Sequence, residues 1–379
     1  MTGACRVWPQ GLFQQKETQT FARPDLFHTQ KSMPKAPLLS VVVTAHNIEK
    51  YIGRCLRSVL TQDFDDYELI VIDDGSTDRT SEVIAIYQCA RLRVLTQPNR
   101  GVSAARNAAL DAARGHYLWQ LDGDDWIDAG ALARIARQLA ETPCDILVTD
   151  LRVDYPEHSE LITLPAAASQ AGWLSNVLSL QAPSWPPTRV YRRALLVENA
   201  IRYPEHIRYS EDMCVDVAAF CHASSVSKLD GACYHYVRRQ GSLTGQAGRY
   251  IHDDIRAYHY VRKTLDEQGL LGRYPDELAY LAFRKVFLGL LGAGGNEPWH
   301  AAEYRQLRKD YPHLMEVAAV RQDLPVRLNR GKRLLAHAYA LNHSLGRLLK
   351  QGGRLAKRVA GRLGYTPLAG QGGGGVRTE

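Results

Sequence analysis

Two acidic clusters follow directly on apolar strand patterns. They are Asp73-Asp74-Gly75-Ser76-Thr77-Asp78 after Glu68–Ile72, and Asp122-Gly123-Asp124-Asp125 after His116–Leu121. Two carboxylates one small residue apart, such as Asp122 and Asp124, can aim oxygens at one hard cation, and Mg2+ or Mn2+ so held commonly bridges to diphosphate oxygens. A solvated acidic turn has the same composition, but a second cluster on the same predicted edge favours a site. Asp and Ser also cap helices and Gly allows tight turns, so Asp78 is expected to cap a helix; the doubled Asp73-Asp74 exceeds what capping needs. Ser210-Glu211-Asp212 is a third acidic stretch, and it also reads as a helix start with a Ser cap and an acidic first turn.

These clusters need strands to deliver them. Leu38–Thr44 is a continuous, β-branched apolar run that reads as a buried parallel strand. Glu49–Gln62 places Ile52, Cys55, Leu56, Val59 and Leu60 on one helical face. The alternation continues with a strand at Glu68–Ile72, a helix from Asp78 to Cys89, a strand at Arg93–Thr96, a helix from Val102 to Ala113 and a strand at Tyr117–Leu121. That rhythm predicts an α/β fold with a mostly parallel sheet and helices on both faces. The carboxyl ends of parallel strands share one edge, so distant carboxylates would converge there on a nucleotide-sized crevice. Beyond Asp125 a helix at Ala129–Glu141 and a strand at Asp145–Asp150 are expected. Residues 156–187, rich in Pro, Ala and Ser with two Trp, suit an acceptor-binding subdomain. Helices are expected at Glu211–His222, Tyr250–Gln268, Glu277–Leu291 and Ala301–Tyr311.

Composition narrows the class. The net charge of +7 is misleading, because residues 326–365 hold ten Lys or Arg and no acid, leaving 7 − 10 = −3 for the rest. Seven cysteines without any C-x-x-C pair argue against a zinc ribbon or a disulfide framework and suggest a reduced cytoplasm. No apolar run reaches the roughly 20 residues needed to cross a bilayer. Met33 reads as a candidate start, with residues 1–32 either an upstream extension or a disordered tail.

Four stretches occur in order: Val41–Asn47 (VVVTAHN), the Asp73–Asp78 cluster, Asn99-Arg100-Gly101-Val102-Ser103-Ala104-Ala105-Arg106-Asn107, and Asp122-Gly123-Asp124. Together they resemble the family 2 glycosyltransferases of the GT-A fold, closely over residues 38–126 and more loosely to Thr244. The resemblance implies an inverting, metal-dependent enzyme that moves one sugar from a nucleotide diphosphate sugar, a UDP-sugar first, to a glycan or lipid-linked acceptor. It implies that Thr44 and His46 frame the base, although the family often has Tyr at the second position, and that Asp74 accepts a hydrogen bond from the base. Asp122 would contact ribose or metal and Asp124 the metal. Arg100 or Arg106 would neutralise phosphate or steady Asp74, and Asp212 would take the acceptor proton. Arg238, Arg239 and Ser242 would close over the diphosphate, with His235 a possible third metal ligand. A surface role for Arg106 and a basic surface loop around Arg238 remain open readings. The Q-x-x-R-W signature of processive synthases is absent, which favours single addition.

The expected organisation is therefore an N-terminal extension over 1–35 and a GT-A domain over 36–245, divided into a nucleotide-binding half (36–126) and an acceptor half (127–245). A helical region follows over 246–325, then a basic amphipathic segment over 326–365 and a disordered tail over 366–379. Leu334, Leu335, Leu341, Leu345, Leu348, Leu349, Leu355 and Val359 with ten cations suit an anionic membrane surface, which would place a cytoplasmic enzyme on the inner face of the membrane in surface-polysaccharide synthesis. A helix packed on the domain is the other reading; nucleic acid ranks last for want of interleaved aromatics. Two rivals remain. A nucleotidyltransferase would need a Gly-rich basic loop where Ala45-His46-Asn47-Ile48-Glu49 stands, and a nucleotide- or glycan-binding module would keep the fold without the chemistry.

Overall fold

The structure, a computed structural model, describes residues 36–238, 250–292, 298–341 and 346–351. These divide between Arg273 and Tyr274 into two compact units. The first unit is built on a nine-stranded sheet. Its strands are β1 (Leu39–Ala45), β2 (Tyr67–Asp73), β3 (Leu92–Thr96), β4 (Tyr117–Asp122), β5 (Trp126–Ile127), β6 (Ile146–Asp154), β7 (Ser159–Ile162), β8 (Arg189–Arg192) and β9 (Val226–Val237). The order is β3-β2-β1-β4-β8-β6-β9-β5, with β7 paired to β6.

β1 and β2 are buried on both faces because helices cover both. α1 (Ile52–Leu60) turns Ile52, Cys55, Leu56, Val59 and Leu60 inward, and these join Leu39, Val41, Val43, Leu69 and Val71 in one core. α3 (Val102–Ala112) packs on β1 and β2. The short α2 (Thr80–Ala85) lies between them in sequence, and the expected longer helix to Cys89 is not formed. Three further helices are α4 (Ala131–Glu141), α5 (Gln170–Leu178) and α6 (Arg193–Glu198); α7 (Glu211–His222) and α8 (Ile251–Glu267) complete the unit. Register decides the site. Ala45 of β1 pairs with Asp73 and Thr44 with Asp122, so the two acidic clusters flank the carboxyl end of β1.

The expectation of parallel pairing holds for β3-β2-β1-β4 and for β6 with β9. β8 runs antiparallel to both β4 and β6, β7 to β6, and β5 to β9, so the sheet is mixed. These strands escape pattern reading for physical reasons. β5 has two residues, β8 opens on the fully buried Arg189, and β9 pairs with β6 across an irregularity at Thr149–Leu151. The region 156–187 holds β7, α5 and a turn at Pro186–Thr188.

The second unit is helical. It contains α9 (Pro275–Ala282), a π-helical segment (Phe283–Phe287), α10 (Leu288–Gly292), α11 (Pro298–Asp310), α12 (Ala318–Arg327) and α13 (Arg330–Leu341). The basic segment is not a free amphipathic helix over its described part. Leu328, Ala336 and Tyr339 are buried, whereas Val326, Leu334, Leu348 and Leu349 are exposed. Among the described residues no helix is long and apolar enough to cross a membrane. The N-terminal extension through residue 35 and the segment beyond residue 351 lie outside the described residues.

Candidate active site

The β2 end is a folded loop whose carboxylates are engaged. Asp73 accepts from the Ser76 backbone N–H at 3.0 Å and from the Ser81 hydroxyl. Asp74 accepts from Gln97 Nε2 (2.7 Å), the Arg100 N–H (3.0 Å) and the Gly101 N–H (2.8 Å). A carboxylate offers about four acceptor positions, so at least one remains for a ligand. Gly75, at φ +68°, is required here, because a Cβ would lie 2.6 Å from the Asn99 nitrogen. Asp78 accepts from the Thr80 N–H at 2.9 Å, but it lies one residue before the N-cap of α2, which is Arg79, so it braces the turn into the helix without being its cap. His46 Nδ1–H donates to the Asp74 carbonyl (2.9 Å), and Nε2 accepts from the Asn99 side-chain amide (3.1 Å). The ring is thus oriented at the crevice mouth. Thr44 is the penultimate residue of β1, and its carbonyl accepts from the Gly123 N–H at 3.0 Å.

At the β4 end the three aspartates part company. Asp125 is buried and receives the Tyr234 hydroxyl and the Val237 N–H (2.7 Å), fastening β9 to this edge. Burial first, then the charges of Asp124 and Asp122, push its carboxyl up to about 8 against the opposing hydrogen bonds from Tyr234 and Val237. Asp122 keeps 35% of its side-chain surface and Asp124 is also part-exposed, so these two face the crevice. Gly123 between them packs over β1, where a Cβ would meet Ile48 Cδ1 at 2.6 Å and the Thr44 oxygen at 2.8 Å.

Arg106, on α3, joins the parts. Its buried guanidinium donates to Asp122 Oδ1 (3.0 Å), Glu211 Oε1 (2.9 Å) and Asp212 Oδ1, and it lies over the Tyr203 ring. One cation therefore serves three carboxylates. Burial raises the Asp212 carboxyl well above the usual range; Arg106 opposes this, and the charges of Glu211 and Asp122 add to it. Asp212 is the reachable acid of its pair, with 24% of its side chain exposed against 8% for Glu211. Ser210 does not cap α7: it sits at φ +66° and its hydroxyl donates to Asp254 at 2.7 Å. A non-glycine residue in this strained conformation directly before Glu211-Asp212 fits a site better than a routine helix start.

Several expectations need correction. Arg106 neither steadies Asp74 nor presents a free guanidinium to phosphate, because three carboxylates occupy it. Arg100 touches Asp74 through its backbone N–H only, and its guanidinium pairs with Glu205 at 2.8 Å. His235 is not a third metal ligand. Its ring is stacked on Trp126 at 3.5 Å, with Nδ1 on Asp154 (3.0 Å) and Nε2 on Asp128 (2.9 Å), so both nitrogens are taken. Arg238 is exposed, with its backbone N–H on the Asp154 carbonyl (2.9 Å); Arg239 and Ser242 lie outside the described residues. Sequence reasoning missed Tyr203, Tyr234 and Gln97. Only the third aspartate, Asp125, carried a signal, since a buried acid needs donors.

Among the described residues no group of three or more His, Cys, Asp or Glu is arranged to hold a metal. Asp122 and Asp124 alone fit a cation of the Mg2+ type, which takes one or two carboxylates and completes its shell with water and phosphate oxygens.

Residues 40–174 match the family model of glycosyl transferase family 2. The chain carries a family 2 glycosyltransferase domain. It is 33% identical over 221 residues to the uncharacterised glycosyltransferase EpsJ of Bacillus subtilis strain 168, covering 55% of this chain and 63% of EpsJ. It is 31% identical over 218 residues to the poly(ribitol-phosphate) β-N-acetylglucosaminyltransferase TarS of Staphylococcus aureus strain Mu50, covering 55% of this chain and 37% of TarS. The matched region is thus less than two thirds of either relative. A crystal structure of S. aureus TarS residues 1–349 in complex with UDP-GlcNAc shares the fold at a TM-score of 0.63 and 24% identity, over 84% of this chain and 92% of that one. The family 2 domain has the GT-A fold.

Proposed function

We propose that the domain transfers a single sugar from a UDP-sugar to an acceptor hydroxyl, with inversion at the anomeric carbon. The observation that carries this reading is the Arg106 hub, which holds Asp122 and Asp212 on one guanidinium although they are 90 residues apart in sequence. A carboxylate at the donor end and a carboxylate able to take a proton are thereby neighbours. In the proposed step the acceptor oxygen bonds to the anomeric carbon as the bond to the diphosphate oxygen breaks. The electron pair leaves with the UDP and the acceptor proton passes to Asp212. Burial raises the proton affinity of Asp212, which suits a general base. The Asp74 loop and His46 would receive the base, and Asp122 and Asp124 would hold Mg2+ or Mn2+. When bound, the cation would offset negative charge on the diphosphate. The choice of UDP is supported by the UDP-GlcNAc in the TarS structure.

Asp212→Asn tests the reading. UDP release with acceptor should fall about 10²–10⁴-fold while UDP affinity, read by calorimetry, stays the same. A variant that keeps its kcat would remove Asp212 from the chemistry. Donor binding without any turnover in the unaltered protein would instead favour a binding module.

We also propose a glycan or lipid-linked acceptor at an anionic membrane surface. Support comes from Val326, Leu334, Leu348 and Leu349, exposed beside Arg330, Lys332 and Arg347. Flotation with anionic liposomes should weaken on deletion of residues 326–379, and unchanged flotation would remove the membrane role.

A further inference from the structure

The sheet of the first unit has a second chemically distinctive end, opposite the carboxylate crevice. β1 and β4 begin there, and β8, running antiparallel, finishes there with Arg192 opposite Tyr117. Seven strand residues put this end about 20 Å from the crevice. It holds a cavity of about 510 Å3 lined by Arg114, Gly115, His116, Arg192 and Arg193 among others, with no acidic side chain in the lining.

Two of the arginines are already matched. Arg114 pairs with Glu68 at 2.9 Å, a carboxylate that Arg93 also reaches, and Arg192 pairs with Asp145 at 2.6 Å. Arg193 and His116 have no side-chain hydrogen bond or ion pair among the described residues, and the Arg193 Nε is enclosed without an acceptor. Four arginines (93, 114, 192, 193) against three acids (Glu68, Asp145 and Asp66, which accepts from the N–H of the lining Leu38 at 3.2 Å) leave the surroundings at +1 before His116 is counted. The Nε itself is closed to solvent, so a ligand in the cavity would meet the remainder of a guanidinium that has no protein partner among the described residues. A guanidinium fork matches phosphate geometry, and an imidazole adds one more donor.

We propose that this cavity binds a phosphate-type dianion, either free phosphate or the terminal phosphate of a lipid headgroup, with Arg193 as the principal donor and His116 beside it. The site is separate from the crevice and does not depend on the proposed transfer reaction.

Calorimetric titration of the full chain with inorganic phosphate, at constant ionic strength set by chloride and with UDP in excess, tests it. Saturable binding with a Kd of about 1 mM is expected. Arg193→Gln should weaken binding about ten-fold, and Arg193→Lys less. Because Arg193 has no protein partner, Arg193→Gln should keep the melting temperature; if it unfolds, His116→Gln, altered at an exposed side chain, reads the same cavity. Absence of saturable heat, or equal affinity in Arg193→Gln or its substitute, overturns the site. Flotation with phosphatidic acid against phosphatidylcholine vesicles separates the two sources. Capture that depends on Arg193 assigns the lipid phosphate, and phosphate heat without such capture assigns the free ion.

Discussion

Asp74 and Asp124 both stand in acidic clusters at strand ends that flank β1, yet they are employed differently. After β2, Gly75 turns the chain and residues 97–101 fold over it, so most of Asp74 is engaged by one side-chain amide and two backbone N–H groups. After β4 the donors of β9 reach only Asp125, and Asp122 and Asp124 keep open surface. An aspartate at a strand end keeps room for ligand chemistry where its protein partners leave part of its surface open. The first cluster shapes a wall of the crevice; the second supplies its charge.

The largest effect should come from the residue that links the second cluster to α7. Arg106→Met strands three carboxylates around a buried gap, so urea denaturation should show a loss of roughly 3–5 kcal/mol. Near-normal stability would break the view of Arg106 as their common partner. The contrast between the clusters is sharpened by a pair of variants. Asp74→Ala orphans three donors and should cost about 2 kcal/mol, while Asp124→Asn should stay within about 0.5 kcal/mol, as a part-exposed position allows. Equal losses would erase the distinction. A further contrast concerns pH. Asp125 titrates near 8 when folded, against about 3.9 in an unfolded chain, so between these values the native state holds the proton more tightly. Its contribution to stability is full below about pH 4 and is lost as pH rises toward 8. Asp125→Asn cannot ionise and should flatten the dependence of stability on pH across that window; an unchanged slope would show that Asp125 is not the titrating group.

Much of this arrangement was legible in the sequence. The apolar runs of β1, β2 and β4 can only be strands buried on both faces, and parallel strands bring Asp73 and Asp122 to one edge. What pattern reading could not supply were partnerships across long separations. Arg106 sits in an Ala-rich helix where a surface role was as plausible, and its partners lie 16, 105 and 106 positions away. His235 between two tyrosines carries no mark that Asp128 and Asp154 will hold both its nitrogens. β8 hides because its first residue, the buried Arg189, is matched by Asp216 of α7 at 3.1 Å, a pairing with no local signature.

The reach of Arg106 also bears on how the chain acquires its shape during synthesis. Until the ribosome has delivered residue 212, two of the three acids that balance this guanidinium do not exist, and Asp122 faces it alone. The nascent N-terminal half therefore cannot settle into its finished form ahead of α7, and a truncation placed between residues 126 and 210 would leave Arg106 without two of its three carboxylate acceptors instead of a self-sufficient fragment.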